Sequence, residues 1–144
     1  MSIKQISVFL ENKPGSLCSM TAELAKNNID MRALSLAETT DFGIARIIVD
    51  KLYDAATVLK EAGYIYSMTN VLGVAIPVTP SGLSNVLAVL TEAGVNIEYM
   101  YAFLGGKKSD KADMIFRVED AALATSALAA KGIRVVEQEE MINL

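Results

Sequence analysis

Apolar and polar positions alternate at the start of the chain. Ile6, Val8 and Leu10 alternate with Ser7 and Phe9, the period of a strand with one strongly apolar face. The same parity returns at Leu72, Val74 and Ile76, an offset of 66 residues. Between these strands the period becomes helical. Leu17, Met20, Thr21 and Leu24 share one helical face, and Leu83, Val86, Leu87 and Leu90 repeat it at the same offset. Pro14 and Pro80 stand where proline fits a first helical turn. The helices are predicted to run to about Asn27 and Ala93. Asn28 and Gly94 follow, residue types that tolerate the left-handed backbone just past a helix.

The rest of each half repeats as well. A second strand is predicted at Ile29–Glu38 and at Val95–Leu104, and a third at Ile44–Val49 and at Met114–Val118. The offset grows to 69 at the third strand, so the second hairpin carries three extra residues at a loop tip, where insertion is tolerated. Asp54 and Asp120 are placed as N-caps of the last helices, with Gly63 and Gly132 ending them. Final strands begin at Tyr64 and Ile133. The order in each half is β-α-β-β-α-β. The fold class is therefore α+β: two ferredoxin-like subdomains, at 1–70 and 71–144, each with an antiparallel sheet and both helices on one face. A unit of this size gains only about 3 to 5 kcal/mol from its own core. No Gly/Ser/Pro linker separates Thr69 from Val71. The halves are expected to pack side by side.

Composition narrows the function. The chain has 144 residues, 52% of them hydrophobic, and a mean hydropathy of +0.35. Its longest apolar run, about Val71 to Ile76, is far short of the roughly 20 residues that cross a bilayer. The opening Met1-Ser2-Ile3-Lys4-Gln5 is not a charged leader followed by an apolar core, so a cytoplasmic location is expected. The surplus apolar surface is assigned to a subunit interface, with a homodimer expected. The net charge of −4 argues against nucleic acid. One cysteine excludes an internal disulfide and a multi-cysteine metal site. Cys18 is read as a small packing residue rather than a thiol activated by a helix N-terminus. Histidine is absent, which removes the commonest general base and metal ligand and favours a binding module over an enzyme. No cofactor and no metal are expected.

Many families share this architecture. RNA-recognition modules need basic and aromatic residues on the central strands, where only Phe9, Phe42 and Arg46 stand. Heavy-metal carriers need Cys-x-x-Cys. Acyl phosphatases need an arginine in the loop that reads Glu11-Asn12-Lys13-Pro14-Gly15 here. The stretch from Phe9 to Leu17, followed by Asn28-Ile29-Asp30-Met31, instead resembles an ACT domain, the small-molecule sensor of amino-acid metabolism. The N-x-P-G-x-L turn and the Asn/Asp between apolar residues at the second strand carry the likeness, which is strong in the first half and eroded in the second. The whole chain resembles stand-alone tandem ACT proteins without a catalytic domain.

The resemblance implies an amino-acid site at a seam between ACT domains. Gly15 permits close backbone approach, and N–H groups at the following helix suit a carboxylate. Asn12 can meet either end of a zwitterion. One half-site is assigned to Leu10, Asn12, Lys13, Pro14, Gly15, Ser16 and Leu17 with Asn96 and Ile97. The other is assigned to Val78, Ser81, Gly82 and Leu83 with Asp30 and Met31. Val78 replaces the amide, so the second is expected to be weaker or differently specific. Leu10 stands where some serine-binding members have a histidine. Asn12, Asp30 and Asn96 each have a plainer reading as turn residues.

Other features are read as structural. Tyr99, Tyr101 and Phe103 form an aromatic strand face assigned to sheet packing. Arg46 is read as an edge-strand guard, with a ligand or partner carboxylate as its alternative. Lys107, Lys108, Asp110 and Lys111 form a solvated hairpin tip, and Glu137, Glu139 and Glu140 a solvated tail. The functional expectation is a non-enzymatic amino-acid-binding regulator that signals to a partner enzyme or transcription system. The alternative is a protein-interaction or scaffold module whose ligand site has decayed. An enzyme using Asp30 or Lys13 lacks a second titratable group in either motif.

Overall fold

The computed structural model describes residues 3–38, 40–103 and 111–142. The hairpin-tip residues Lys107, Lys108 and Asp110, the strand end at Leu104 and the turn residue Thr39 lie outside them. The chain separates into two compact units, Lys4–Thr69 and Asn70–Ile142, with Ile3 grouped with the latter.

The first unit contains β1 (Ile3–Glu11), α1 (Ser16–Lys26), β2 (Met31–Glu38), β3 (Phe42–Val49), α2 (Leu52–Glu61) and the start of β4 (Ile65–Pro77). Strand β3 lies between β2 and β1, antiparallel to both, and β4 lies beside β1. The alternation in β1 sends Ile6, Val8 and Leu10 against Met20 and Leu24 of α1 and Ala55 and Leu59 of α2. The opposite face of β1 is also buried at Gln5 and Ser7, where the Gln5 amide donates to Ser7 Oγ at 3.1 Å. The position of β3 corrects the reading of Arg46. Its strand is internal to the sheet, with Ser7 on one side and Ser35 on the other, so it guards no edge.

The second unit takes the rest of β4 from Asn70, then α3 (Gly82–Glu92), β5 (Ile97–Ala102), β6 (Lys111–Val118), α4 (Ala121–Ala130), β7 (Val135–Val136) and α5 (Gln138–Ile142). Strand β6 pairs with β4 and β5, and β7 pairs with β4. Leu72, Val74 and Ile76 pack on Val86 and Leu90 of α3, Phe116 and Val118 of β6, and Ala124 and Leu128 of α4. Tyr99 and Tyr101 of β5 stack on each other with centroids 6.5 Å apart.

Local signals acted largely as expected. Asn28, Gly63, Gly94 and Gly132 all have positive φ where their helices end. Asp120 caps α4 by accepting from Leu123 N–H at 3.0 Å. Asp54 differs: α2 starts earlier, with Lys51 at the N-cap, and Asp54 lies in the first turn, where its charge still suits the helix dipole. The prolines also differ, standing in turns before α1 and α3. Cys18 is exposed, because it falls on the side of α1 away from Met20 and Leu24.

The acidic segment at the C-terminus is helix α5. Glu137 N–H donates to Glu140 Oε1 at 3.2 Å, one half of a capping box, and Met141 N–H donates to Glu137 O as the first helical bond. Arg134 donates to Glu140. Met141 is fully buried. A Cβ on Gly73 would lie 2.7 Å from Ile3 Cδ1, 3.1 Å from Met141 Cε and 3.2 Å from Val136 Cβ, so the missing side chain at Gly73 is what lets α5 settle there.

Asp113, paired with Ala75 across β4 and β6, gives a pH test. Burial pushes its pKa above the ordinary 3.8, and the nearby Arg134 charge opposes that rise only in part. A carboxyl with a raised folded-state pKa favours folding when protonated. That contribution is complete below the ordinary value and is lost as pH climbs through the folded value. Asp113→Asn should therefore raise the melting temperature near neutral pH, and the gain should shrink on acidification. A melting temperature lowered at neutral pH would contradict the burial argument.

Candidate functional site

The turn before α1 is built from local chemistry. Ser16 N–H donates to Lys13 O at 3.3 Å, and Gly15 sits at φ 88, ψ −11. Those values are a type II turn with Pro14 and Gly15 at the positions that favour proline and glycine. Gly15 is also the N-cap of α1, and no side chain caps this helix end. Nothing approaches within 4 Å of where a Cβ on Gly15 would stand. The first N–H groups of a helix lack intrahelical partners and favour anions.

A cleft of about 550 Å³ opens at this turn. It is lined by Phe9, Leu10 and Glu11 from β1, by Lys13, Pro14, Gly15, Ser16 and Ser19, by Phe42 at the start of β3, and by Gly63, Tyr64 and Ile65 at the turn into β4. All belong to the first unit. Glu11 and Lys13 form an exposed ion pair at 3.1 Å, a geometry that contributes about 1 kcal/mol or less. Clefts of this size are typical small-molecule sites.

The cleft gathers Leu10, Lys13, Pro14, Gly15 and Ser16 from the expected residues. Asn12 and Leu17 are not on its wall. Asn12 ties the loop to the β2–β3 hairpin: its amide donates to Glu38 Oε2 at 3.1 Å and to Thr40 O at 3.4 Å, and its N–H donates to Asp41 O at 3.0 Å. Leu17 and Met31 pack on the core. Asp30 follows the other end of α1, where its carboxylate pairs with Arg32 at 2.9 Å and its N–H donates to Asp50 Oδ1 at 3.0 Å. The 11-residue helix spans roughly 16 Å, so Asp30 and Gly15 of one unit do not converge.

The matching turn in the second unit is closed. Gly82 N–H donates to Thr79 O at 3.1 Å, and Ser81 lies at φ −99, ψ −2, a type I turn that needs no glycine at that position. A Cβ on Gly82 would stand 2.0 Å from Pro77 O. Val78 is exposed and Leu83 is partly so. Asn96 lines a separate polar hollow of about 480 Å³ with Glu119 and Asp120, and its carbonyl accepts from Glu119 N–H at 3.1 Å. Ile97 packs on the second core.

The residues missed by sequence reasoning are Phe9, Glu11, Ser19, Phe42, Gly63, Tyr64 and Ile65. Phe9 and Glu11 lie inside the stretch that carries the family likeness, which was a usable signal. Phe42 arrives through its register opposite Glu11, and Tyr64 and Ile65 through the fold. No group of three or more potential metal ligands occurs among the described residues.

Comparison with known families decides the identity. The ACT domain pair matches residues 1–144. The chain belongs to this family. A crystal structure of a protein from Bacteroides thetaiotaomicron is similar at 36% identity and TM-score 0.92, covering 100% of this chain and 98% of that one. The regulatory subunit of aspartate kinase from Thermus thermophilus, in a ligand-free form, shares the ACT fold at 18% identity and TM-score 0.65, with 92% of each chain covered. The corresponding Thermus flavus subunit has 16% identity and TM-score 0.63, with 90% of this chain and 92% of that one covered. A comparison with curated proteins finds no match. The two ACT units thus differ at the turn that defines the family likeness: open and glycine-capped in the first, closed on Pro77 in the second.

Proposed function

We propose that this ACT pair is a non-catalytic regulatory protein that binds a free amino acid, with domains at 1–70 and 71–144. The observation that carries the reading is the cleft at the uncapped start of α1, where an open turn with Gly15 at positive φ meets the Glu11–Lys13 pair. The ligand carboxylate takes the N–H groups at the start of α1. Its ammonium faces Glu11. Asn12 positions the loop. The match to an ACT pair over the whole sequence supports the sensing role, and likeness to regulatory subunits of aspartate kinase is in keeping with a partner enzyme of amino-acid metabolism. The wider proposal is a cytoplasmic homodimer. No helix among the described residues is long and apolar enough to cross a membrane.

Binding must stabilise the fold. A ligand at a hundredfold excess over its dissociation constant adds about 2.7 kcal/mol. The expected result is a rise in melting temperature with at least one of the twenty amino acids, and its loss in Gly15→Val, whose branched side chain fills the open turn. Asn12→Ala should weaken binding in calorimetry. The closed turn with Ser81, Gly82 and Leu83 is proposed as the weaker site. Asn96, Ile97, Asp30 and Met31 are tested by single alanine substitutions read the same way. No stabilisation by any amino acid would favour the protein-interaction reading instead.

A further inference from the structure

We infer that the cleft of the first ACT unit selects an amino acid with a bulky apolar side chain, aromatic or branched aliphatic, over charged and small polar ones. The inference rests on the amino-acid-binding reading above and concerns the other end of the same cleft. Phe9, Phe42 and Ile65 are 45%, 58% and 72% exposed, yet all three line it. Large apolar side chains gathered at one surface cost solubility, and such patches mark binding sites.

The sheet explains their meeting. Phe42 pairs with Glu11 across β3 and β1, so both point to one face, and Phe9, two residues before Glu11, stands diagonally from Phe42. Ile65 opens β4 beside β1. Three strands thus supply one apolar wall on the sheet face away from α1 and α2, while the buried Leu10 and the half-buried Tyr64, on the helix side, line the same cleft. The charged residues on the lining are Glu11 and Lys13, which pair with each other at the turn end. The cleft is therefore polar at α1 and apolar where it meets the opposite sheet face, the two characters that an apolar amino acid combines. A lysine or aspartate side chain would lose hydration against phenyl rings and gain no opposite charge.

The experiment is thermal shift and calorimetry on the full chain with phenylalanine, leucine, isoleucine, alanine, serine, threonine, lysine and aspartate. The expected outcome is binding of at least one of the first three, at least tenfold tighter than alanine, serine, threonine, lysine or aspartate. Phe42→Ser, at an exposed position, should weaken that binding about tenfold while the unliganded melting temperature moves by only a few degrees. Tighter binding of lysine, aspartate, serine or threonine, lost in Gly15→Val, overturns the side-chain class and leaves amino-acid sensing standing. If none of the eight binds, binding of valine, tyrosine or tryptophan supports the class, and binding only of any other of the twenty overturns the class alone. No binding by any of the twenty removes the reading beneath. If Phe42→Ser leaves amino-acid affinity unchanged and instead converts a sedimenting dimer to monomer, the apolar wall is a contact between copies, and the inference fails.

Discussion

Replacing Gly82 with alanine should destabilise the protein by about 3 kcal/mol, the upper part of the range for forcing atoms into a filled site. The added Cβ would stand 2.0 Å from Pro77 O and 3.0 Å from Pro77 C. Both are backbone atoms at the end of β4, so no side-chain rotation relieves the contact. Either α3 must shift its first turn or β4 must shed its last pairing, Pro77 with Lys111. For a chain of this length the melting temperature should fall by roughly 6 to 12 °C. Gly15→Ala is the control. Space is open there, and only the positive φ opposes a side chain, at a cost of about 1 to 2 kcal/mol. Equal melting temperatures for the two variants would refute the packing argument.

The largest loss is expected from Phe116→Ala. Phe116 is fully buried, paired with Leu72 on one neighbouring strand and Met100 on the other, at the centre of the second unit's core. Truncating a buried phenylalanine costs about 3 to 5 kcal/mol, the lost transfer term plus the cavity. The melting temperature should drop by roughly 6 to 20 °C. Tyr53→Ala, on an exposed face of α2, should stay within about 0.5 kcal/mol. The cleft is lined wholly from the first unit. Phe116→Ala should therefore leave ligand affinity unchanged well below its transition, measured by calorimetry. Matched losses of stability and affinity would point to a site built otherwise than proposed.

These variants bear on function because they separate the two turns. Gly15 and Gly82 look equivalent in a repeat read by eye, one place apart in their copies. Their physical roles are opposite. Gly15 keeps an approach open at positive φ, whereas Gly82 lets backbone close on backbone. This difference supports the proposal that the turn of the second unit is the weaker site.

Much of the molecule was legible in order. The strand and helix periods, the left-handed helix ends at Asn28, Gly63, Gly94 and Gly132, and the Asp120 cap all depend on residues close in sequence. The Lys13-Pro14-Gly15-Ser16 turn is local for the same reason. Where local reasoning slipped, the cause was equally physical. α5 is too short to show a helical period, and it is held by Met141 over Gly73 and by Arg134 on Glu140. Arg46 suggested an edge because its strand order was unknown.

From its sequence alone this protein is a doubled ACT fold with a Pro-Gly turn poised at a helix start, because period, proline and glycine act over a few residues. Only the tertiary structure placed Phe42, Tyr64 and Ile65 on the same cleft as that turn, put β3 inside its sheet, and closed Gly82 against Pro77. Those arrangements follow from strand pairing and close packing between distant segments, which no local pattern encodes.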